Sequence, residues 1–201
     1  MHHDQCAELA EQTGLILPLG EWLLRVSCGQ AYWWHKGNVG DLPLSVGLTA
    51  HQSADADLVS RVVRVLDYTG LPADRLTVGM PIAALRVAEA ADSLTVLADM
   101  GVRTSLDDFG LSPDDLTAVE EFQVGAVRVA RRLTDRLLGV GSTVIARLVT
   151  AVHHAGATVT VDGIETQEQV DWWRAAGADT ATGDFFGVVC PPGDIAAGFQ
   201  A

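Results

Sequence analysis

Short strand-like runs alternate with helix-like stretches along this chain, and this alternation constrains the fold more than any other feature. Six runs rich in apolar and β-branched residues predict strands, at residues 42–50, 75–80, 102–108, 124–130, 157–164 and 178–186. Helical stretches separate them, notably residues 54–68, 82–100, 131–154 and 166–176. Strands joined through helices pair in parallel by right-handed crossovers. The pattern therefore predicts an α/β fold with about six parallel strands.

A (β/α) barrel suits this alternation better than a nucleotide-binding sheet. No Gly-x-Gly-x-x-Gly follows any predicted strand, and no Walker loop occurs. Polar and acidic residues lie at the carboxyl ends of the strands, where barrels carry their sites. Because a complete barrel has eight strands, we expect an incomplete TIM-like barrel with its helices outside. We predict one domain over residues 1–201, with a helical segment at 1–40 and alternating β/α units at 41–201.

The N-terminal segment predicts a helix with one apolar face. Its apolar residues recur at i, i+3, i+4 and i+7, the spacing of a buried stripe: Leu19, Trp22, Leu23 and Val26. We expect these four side chains to be buried. Trp33 and Trp34 follow, and they are expected in the core, with a partner or groove surface as the alternative.

Composition excludes several classes of partner. Thirteen basic against 26 acidic side chains give a net charge of −13, which disfavours binding to a phosphate backbone. No run approaches the ~18 apolar residues of a membrane span, and the N-terminus lacks the apolar stretch of a signal peptide. The three cysteines are scattered, as is typical of buried thiols in a reducing compartment. We therefore expect a cytoplasmic protein with no nucleic-acid or membrane partner.

Two adjacent carboxylates, Asp107 and Asp108, end the third predicted strand in the sequence Thr-Ser-Leu-Asp-Asp-Phe-Gly. Paired Asp residues at a strand end can hold a divalent cation, which prefers oxygen ligands. An Asp side chain can equally accept backbone N–H groups in the turn that follows. The residues alone leave three interpretations open: a structural turn, a weak Mg²⁺ or Ca²⁺ site, or a catalytic metal site.

Five segments, in order, resemble the EAL domain family, the phosphodiesterases that linearise cyclic di-GMP. They read LAEQTGLILPLGEWLLRVSC, LSVGLTAHQ, SLDDFG, VGAVRVARRL and VTVDGIETQEQVDWWRAAGADTATGDFFG, and together they span most of the chain. The resemblance implies a bacterial signalling protein whose barrel holds two metal ions at the strand ends. Such ions stabilise the attacking and leaving oxygens and lower the pKa of bound water.

The same resemblance implies that most of this metal site is replaced. The Glu-Ala-Leu motif is not found, and neither are the first two strands of the family barrel. The Asn and Glu metal ligands correspond to Gly47 and Gly79, which have no side-chain oxygen. The remaining positions correspond to Asp107 and Asp108, which are kept, Arg128 in place of Lys, Ala130 in place of Asp, Asp162 in place of the proposed base Glu, and Thr182 in place of Gln.

We therefore expect no catalytic residue, only vestigial positions: Asp107, Asp108, Arg128, Asp162 and Thr182. The candidates for ligand binding are Arg128, Asp162 and Glu165. No cofactor is expected. Metal binding is expected to be absent, or weak at Asp107 and Asp108, with Asp162 as a further ligand of a weak Mg²⁺ or Ca²⁺ site. An Asp in place of Glu retracts the carboxylate, and a misplacement of ~1 Å can cost about 100-fold in rate.

Three functions follow from the resemblance and its departures. The first is a catalytically inactive EAL-like domain that acts as a regulatory protein-interaction module in cyclic di-GMP signalling. The second is a sensor that binds cyclic di-GMP without hydrolysing it, and the third is an active phosphodiesterase. Because unpaired strand edges invite pairing, the expected partner is a second copy of the chain or another protein that covers the open barrel seam.

Overall fold

The computed structural model describes residues 3–37, 42–112, 114–134, 142–187 and 189–198. These residues divide into two compact units. The first unit contains the chain up to Arg103 together with the residues from Cys190 onward, and the second contains Thr104–Val189. Within the described residues, no helix is long and apolar enough to cross a membrane.

The first unit consists of helices around a pair of parallel strands. Its strands are β1 (Leu44–Gly47) and β2 (Leu76–Pro81), with Leu44 opposite Leu76 and Gly47 opposite Gly79. Its helices are α1 (His3–Gln12), α2 (Ile16–Lys36), α3 (Ala50–Ser53), α4 (Leu58–Thr69), α5 (Ala88–Asp99) and α10 (Pro192–Gly198), numbered with those of the second unit in chain order.

Helix α4 follows its sequence pattern. Leu58, Val62 and Val65 recur on one side and are buried, while Leu66 is partly buried. The helix ends at Gly70, whose left-handed backbone (φ 74°) suits a residue without a Cβ. The predicted start at residue 54 is wrong, because Thr49 caps the separate short helix α3 and the chain re-enters a helix only at Leu58.

The predicted buried face of α2 is wrong. Trp22, Leu23 and Val26 are exposed, and Leu19 is only partly buried. The buried side of the helix consists of Ile16, Leu24, Cys28 and Ala31. Helix α2 is apolar on two opposite sides, and periodicity alone does not indicate which side meets the core. Trp33 is also exposed, against the expectation of a core residue, while Trp34 is partly buried.

The second unit has four parallel strands in sequence order. They are β3 (Arg103–Phe109), β4 (Ala126–Val129), β5 (Thr158–Val161) and β6 (Thr180–Ala181). Its helices are α6 (Asp115–Phe122), α7 (Arg131–Thr134), α8 (Ser142–His154) and α9 (Gln167–Ala176). Each strand pairs in parallel with the next.

Side chains along β4 and β5 alternate between the two faces of the sheet. Val127 and Val129 on β4, like Val159 and Val161 on β5, are buried. Arg128 lies between the two β4 valines and pairs in register with Thr160. Successive side chains of a strand point to opposite faces, so Arg128 and Thr160 lie on the face away from these valines.

Several predicted boundaries differ from the structure. The predicted helix at 82–100 begins as a 3₁₀ turn (Ile82–Arg86), and α5 starts after the extended residue Val87. The final predicted strand shortens to Thr180–Ala181. The predicted helix at 131–154 corresponds to α7 and α8, and residues 135–141 lie outside the described residues.

Candidate functional site

Four polar residues meet at the carboxyl ends of the parallel strands of the second unit. Asp107 lies on β3 and Arg128 on β4, while Asp162 and Thr182 directly follow β5 and β6. Carboxyl ends of parallel strands share one edge of a sheet, which is where (β/α) folds place their sites. We call these four residues the Asp107–Arg128 cluster.

A β-bulge separates the two adjacent aspartates. Leu106 pairs with Val127 and Phe109 pairs with Val129, so Asp107 and Asp108 together lie opposite the single residue Arg128. Asp108 takes a left-handed backbone conformation (φ 61°) and its side chain is exposed. Bulges re-aim side chains in this way. Asp107 therefore joins the cluster while Asp108 faces solvent.

The guanidinium of Arg128 lies between two carboxylates. Its Nη1 donates to Oδ2 of Asp162 at 2.9 Å, and its Nε lies 3.4 Å from Oδ1 of Asp107. The Arg128 side chain is 27% exposed and that of Asp107 is 18% exposed, so both ion pairs are partly shielded from water. A planar guanidinium suits two acceptors at once, which the point charge of a lysine does not.

Burial dominates the charge state of Asp107. Loss of hydration raises the pKa of Asp107 to about 6, against the opposing effects of the Arg128 charge and a hydrogen bond from Ser105. The nearby charges of Asp162 and Asp108 raise this pKa further. For Arg128, burial alone would lower the pKa, but the hydrogen bond to Asp162 and the charges of Asp162 and Asp107 raise it. Arg128 is therefore a permanent positive charge in this cluster.

Asp162 is held from two sides. Arg128 binds its Oδ2, and the hydroxyl of Thr182 donates to its Oδ1. The chain after Thr182 approaches the β5–α9 loop so closely that a Cβ on Gly183 would lie 2.2 Å from the carbonyl oxygen of Ile164. Only glycine fits there, and the amide of Ile164 donates to the carbonyl of Thr182 at 3.0 Å. This contact fixes Thr182 beside Asp162.

The loop after Asp108 is organised by a different aspartate. Oδ2 of the buried Asp115 accepts backbone N–H groups from Gly110, Leu111 and Ser112 at 2.8, 2.9 and 3.1 Å. The sequence had suggested this turn role for Asp107 and Asp108. The structure assigns it to Asp115, at the start of α6, whose Oδ2 accepts all three amides.

Glu165 lies apart from the cluster contacts. Its Oε1 accepts from Nη2 of Arg131 at 3.1 Å, and both side chains are largely exposed. The predicted ligand-binding candidate therefore pairs with a cation that the sequence did not single out. Such an exposed pair contributes little to stability.

The cluster does not fit a divalent metal ion. Divalent cations such as Mg²⁺ need several oxygen ligands around one point, and the position between Asp107 and Asp162 is held by the Arg128 guanidinium. Among the described residues, no group of three or more His, Cys, Asp or Glu side chains could hold a metal ion. In the first unit, Gly47 and Gly79 pair across β1 and β2 and offer no side-chain oxygen.

Family membership follows from a match that covers most of the chain. The sequence matches the EAL domain over residues 1–188. This chain belongs to the EAL domain family. The match confirms the resemblance inferred from the five segments, and it includes every residue of the Asp107–Arg128 cluster.

Two curated relatives of the EAL chain illustrate its context. An uncharacterized protein, y4lL, of Sinorhizobium fredii is 35% identical over 91% of this chain and 22% of its own length. The bifunctional diguanylate cyclase/cyclic di-GMP phosphodiesterase MucR of Pseudomonas aeruginosa is 31% identical over 93% of this chain and 28% of its own length. The chain therefore spans about a quarter of these proteins.

A solved structure supports the fold. The structure of the PaMucR phosphodiesterase in complex with c-di-GMP has a TM-score of 0.88, 28% identity, and coverage of 96% of this chain and 79% of that chain. The predicted fold class is confirmed: parallel strands with surrounding helices, an incomplete TIM-like (β/α) barrel of the EAL type.

The sequence named most of the cluster but not its arrangement. The structure brings together Asp107, Arg128, Asp162 and Thr182, and leaves Asp108 and Glu165 outside these contacts. Sequence reasoning missed Ser105, whose hydroxyl donates to Oδ1 of Asp107 at 3.2 Å. Its position two residues before Asp107 on one strand was the available signal, since residues i and i+2 share a face.

Proposed function

We propose that this EAL domain does not hydrolyse cyclic di-GMP and acts as a regulatory protein-interaction module. The observation that carries the proposal is the guanidinium of Arg128, bound between Asp107 and Asp162. Two-metal phosphodiester hydrolysis needs two divalent ions about 3.5–4 Å apart. A fixed positive charge at this position repels such ions and engages Asp107, one of the two aspartates kept at the family's metal-ligand positions.

The glycines of the first unit support the same proposal. Gly47 and Gly79 stand where the family resemblance places an Asn and a Glu ligand, and neither supplies an oxygen. Each lost ligand lowers metal affinity separately. Two oxygen donors of the family's ligand set are therefore missing from this sequence, and Mg²⁺ needs near-octahedral oxygen coordination.

A hydrolysis assay tests the inactive half of the proposal. The chain is incubated with cyclic di-GMP and Mg²⁺ or Mn²⁺, with the MucR phosphodiesterase as a positive control. We expect no linear product above the no-protein background. Product formation that is lost in the Asp107→Ala variant would overturn the proposal.

A complementation experiment tests the regulatory half. In a strain that lacks this gene, the wild type and Asp107→Asn are expected to reverse the deletion phenotype equally, because the function does not depend on metal-bound carboxylates. Asn keeps the size of the side chain and removes its charge. A folded Asp107→Asn protein that fails to complement would contradict a non-catalytic role.

The second candidate is a sensor that binds cyclic di-GMP without cleaving it. It is favoured by the MucR structure, which contains this ligand, and by Arg128, a group able to bind phosphate. We rank it second because Arg128 is already bound by Asp162 and faces Asp107. Titration calorimetry with cyclic di-GMP, with and without Mg²⁺, separates the two: binding supports the sensor, and no heat at high micromolar ligand rejects it.

A further inference from the structure

The first unit contains a cavity beside the carboxyl end of β1. Its volume is about 310 Å³, and its walls are formed by α1, the first turns of α2, the end of β1, α3 and the start of α4. Most of the lining side chains are apolar, among them Ala7, Ile16, Leu17, Leu24, Val46 and Leu58. Small-molecule sites in proteins are mostly apolar clefts of roughly 300–1,000 Å³. The cavity therefore has the size and the lining of a site for a small molecule.

Hydrogen bonds from Gln52 hold two walls of the cavity together. Its Oε1 accepts the amide of Thr49 at 2.9 Å, and its Nε2 donates to the carbonyl of Ile16 at 3.3 Å, which joins α3 to α2. Gly20 leaves room for this side chain, because a Cβ at Gly20 would overlap Nε2 of Gln52. A cavity whose walls are fixed before binding loses little conformational entropy when a ligand enters.

The charges at the cavity are balanced within the protein. Among the described residues, three charged side chains line it: Glu21, Asp55 and Arg61. Nη1 of Arg61 lies 2.6 Å from Oε2 of Glu21, and its Nε lies 2.8 Å from Oδ2 of Asp55. Arg64 approaches the other carboxylate oxygen of Glu21 at 3.5 Å, so two carboxylates meet two guanidinium groups. A charged ligand would lose its hydration here without gaining an uncompensated partner, which disfavours its binding.

The volume limits the size of the ligand. An apolar protein cavity of about 150 Å³ binds one benzene molecule, so a cavity of about 310 Å³ has room for roughly two such rings. We propose that this cavity binds a small uncharged molecule built on two aromatic rings. Such a ligand contacts α1, α2 and β1 at once, and it therefore couples the stability of the first unit to its own concentration.

The proposed ligand site goes beyond the regulatory role and does not rest on the absence of hydrolysis. Every lining residue belongs to the first unit, whereas the Asp107–Arg128 cluster belongs to the second. Binding to the cavity is measured without cyclic di-GMP and without a divalent ion. A failure of this proposal is therefore distinguishable from a failure of the proposed function.

Fluorescence titration with prodan tests the proposal on the full chain. Prodan is an uncharged naphthalene derivative whose emission moves to shorter wavelength in apolar surroundings. We expect saturable binding with a dissociation constant on the order of 10 µM. Ala7→Phe places a ring in the cavity from α1 and should weaken binding at least about 10-fold. Ala175→Phe is the matched control, because Ala175 is an exposed residue of α9 in the second unit, and this variant should bind prodan as the wild type does.

Competition separates uncharged from charged ligands. The compounds 2-naphthol and 2-naphthoate share the same two rings, and only 2-naphthoate is charged at neutral pH. We expect 2-naphthol to displace prodan and 2-naphthoate to do so at least about 10-fold more weakly, because the guanidinium groups of Arg61 and Arg64 are already bound to carboxylates. Equal displacement by both compounds would overturn the assignment to an uncharged ligand.

Cys6 gives an independent readout of where the ligand binds. It lines the cavity and is partly exposed, whereas Cys28 is buried and burial raises the pKa of its thiol to about 11. In a Cys190→Ser background, which removes the exposed third thiol, the thiol reagent DTNB should therefore react with Cys6. We expect saturating 2-naphthol to slow this reaction at least about 5-fold, since thiol reactivity depends on access. An unchanged rate would mean that the ligand binds elsewhere, against the proposal.

Leu17→Gln provides a second variant if Ala7→Phe does not fold. It keeps the approximate size of the side chain and makes the cavity wall polar, so prodan should bind at least about 5-fold more weakly. Far-UV circular dichroism verifies that each variant is folded. Prodan binding that survives both variants, or that Ala175→Phe also abolishes, overturns the proposal. A wild-type chain that binds no prodan at about 100 µM overturns it as well.

Discussion

The Nη1 atom of Arg128 lies 2.9 Å from Oδ2 of Asp162, while Nε of the same guanidinium lies 3.4 Å from Oδ1 of Asp107. One side chain thus compensates two partly buried carboxylates at the ends of β3 and β5, the two strands that flank β4. The effects of changing Arg128, Asp107 and the bulge beside them follow from this geometry.

Arg128→Met is expected to destabilise the protein by about 2–3 kcal/mol, because Asp107 and Asp162 would then face each other without a counter-charge. The matched control is Arg131→Met, which breaks the exposed pair with Glu165 and should cost less than about 1 kcal/mol. Urea unfolding followed by circular dichroism measures both. If both variants lost the same free energy of unfolding, the Arg128 bridge would contribute no more to stability than the exposed pair of Arg131 and Glu165.

Asp107→Asn is expected to change how stability depends on pH. The folded pKa of Asp107 is about 6, raised by burial from an ordinary value of 3.8. The folded state therefore binds this proton more tightly than the unfolded state does. The contribution of this bound proton to the free energy of unfolding is present in full below about pH 4. It is lost as pH rises to about 6, which lowers the free energy of unfolding by up to about 3 kcal/mol.

The Asn variant lacks this loss, so its stability relative to wild type should increase between pH 4 and pH 7. Urea unfolding at four pH values across this range gives the comparison. Asp99→Asn on α5, an exposed position, serves as the control and should leave the wild-type pH profile in place. A stability difference between the Asn variant and the wild type that stays constant over this interval would contradict the role of Asp107.

Asp108→Gly is expected to stabilise the protein by about 0.5–1 kcal/mol. Asp108 has a left-handed backbone (φ 61°) and an exposed side chain, and glycine adopts this conformation without steric cost. The opposite result is expected for Asp92→Gly, since Asp92 is exposed within α5, where glycine costs roughly 0.3–0.5 kcal/mol relative to Asp. Thermal unfolding measures both, and a destabilised Asp108→Gly would indicate that the Asp108 carboxylate makes a contact worth more than the strain.

Asp115→Ala is expected to release the loop after β3. Three backbone amides, those of Gly110, Leu111 and Ser112, donate to one oxygen of Asp115. Its removal leaves them without this acceptor, at a cost of about 1–3 kcal/mol. Amide hydrogen exchange should accelerate at these three residues. The exposed neighbour Asp114 is the control, and Asp114→Ala should leave the three amides protected.

The alternation of strands and helices predicted the fold because each β/α unit is specified locally. Buried valines on β4 and β5 and the glycine after α9 are readable signals. The resemblance of the sequence segments to the family likewise predicted strand-end positions for four residues: Asp107, Arg128, Asp162 and Thr182. What they did not predict is that Arg128 lies between the two carboxylates, since this depends on side-chain directions across three strands.

The predictions that were wrong, or that the sequence did not allow, have physical causes as well. The apolar stripe that begins at Leu19 on α2 was expected to be buried, because periodicity reports that a helix has an apolar side but not how many such sides it has. The bulge at Asp107 and Asp108 was invisible in the sequence, since an inserted residue changes the pairing and not the composition. Both features depend on neighbours that are distant along the chain.

The bridge by Arg128 has a consequence for how the two carboxylates acquire their counter-charge. A metal ion must arrive from solution, so its occupancy follows the ionic composition of the surroundings. A guanidinium that is carried on β4 arrives in the same step that forms the strand pairs. In this domain the charge balance of Asp107 and Asp162 is therefore settled by folding itself.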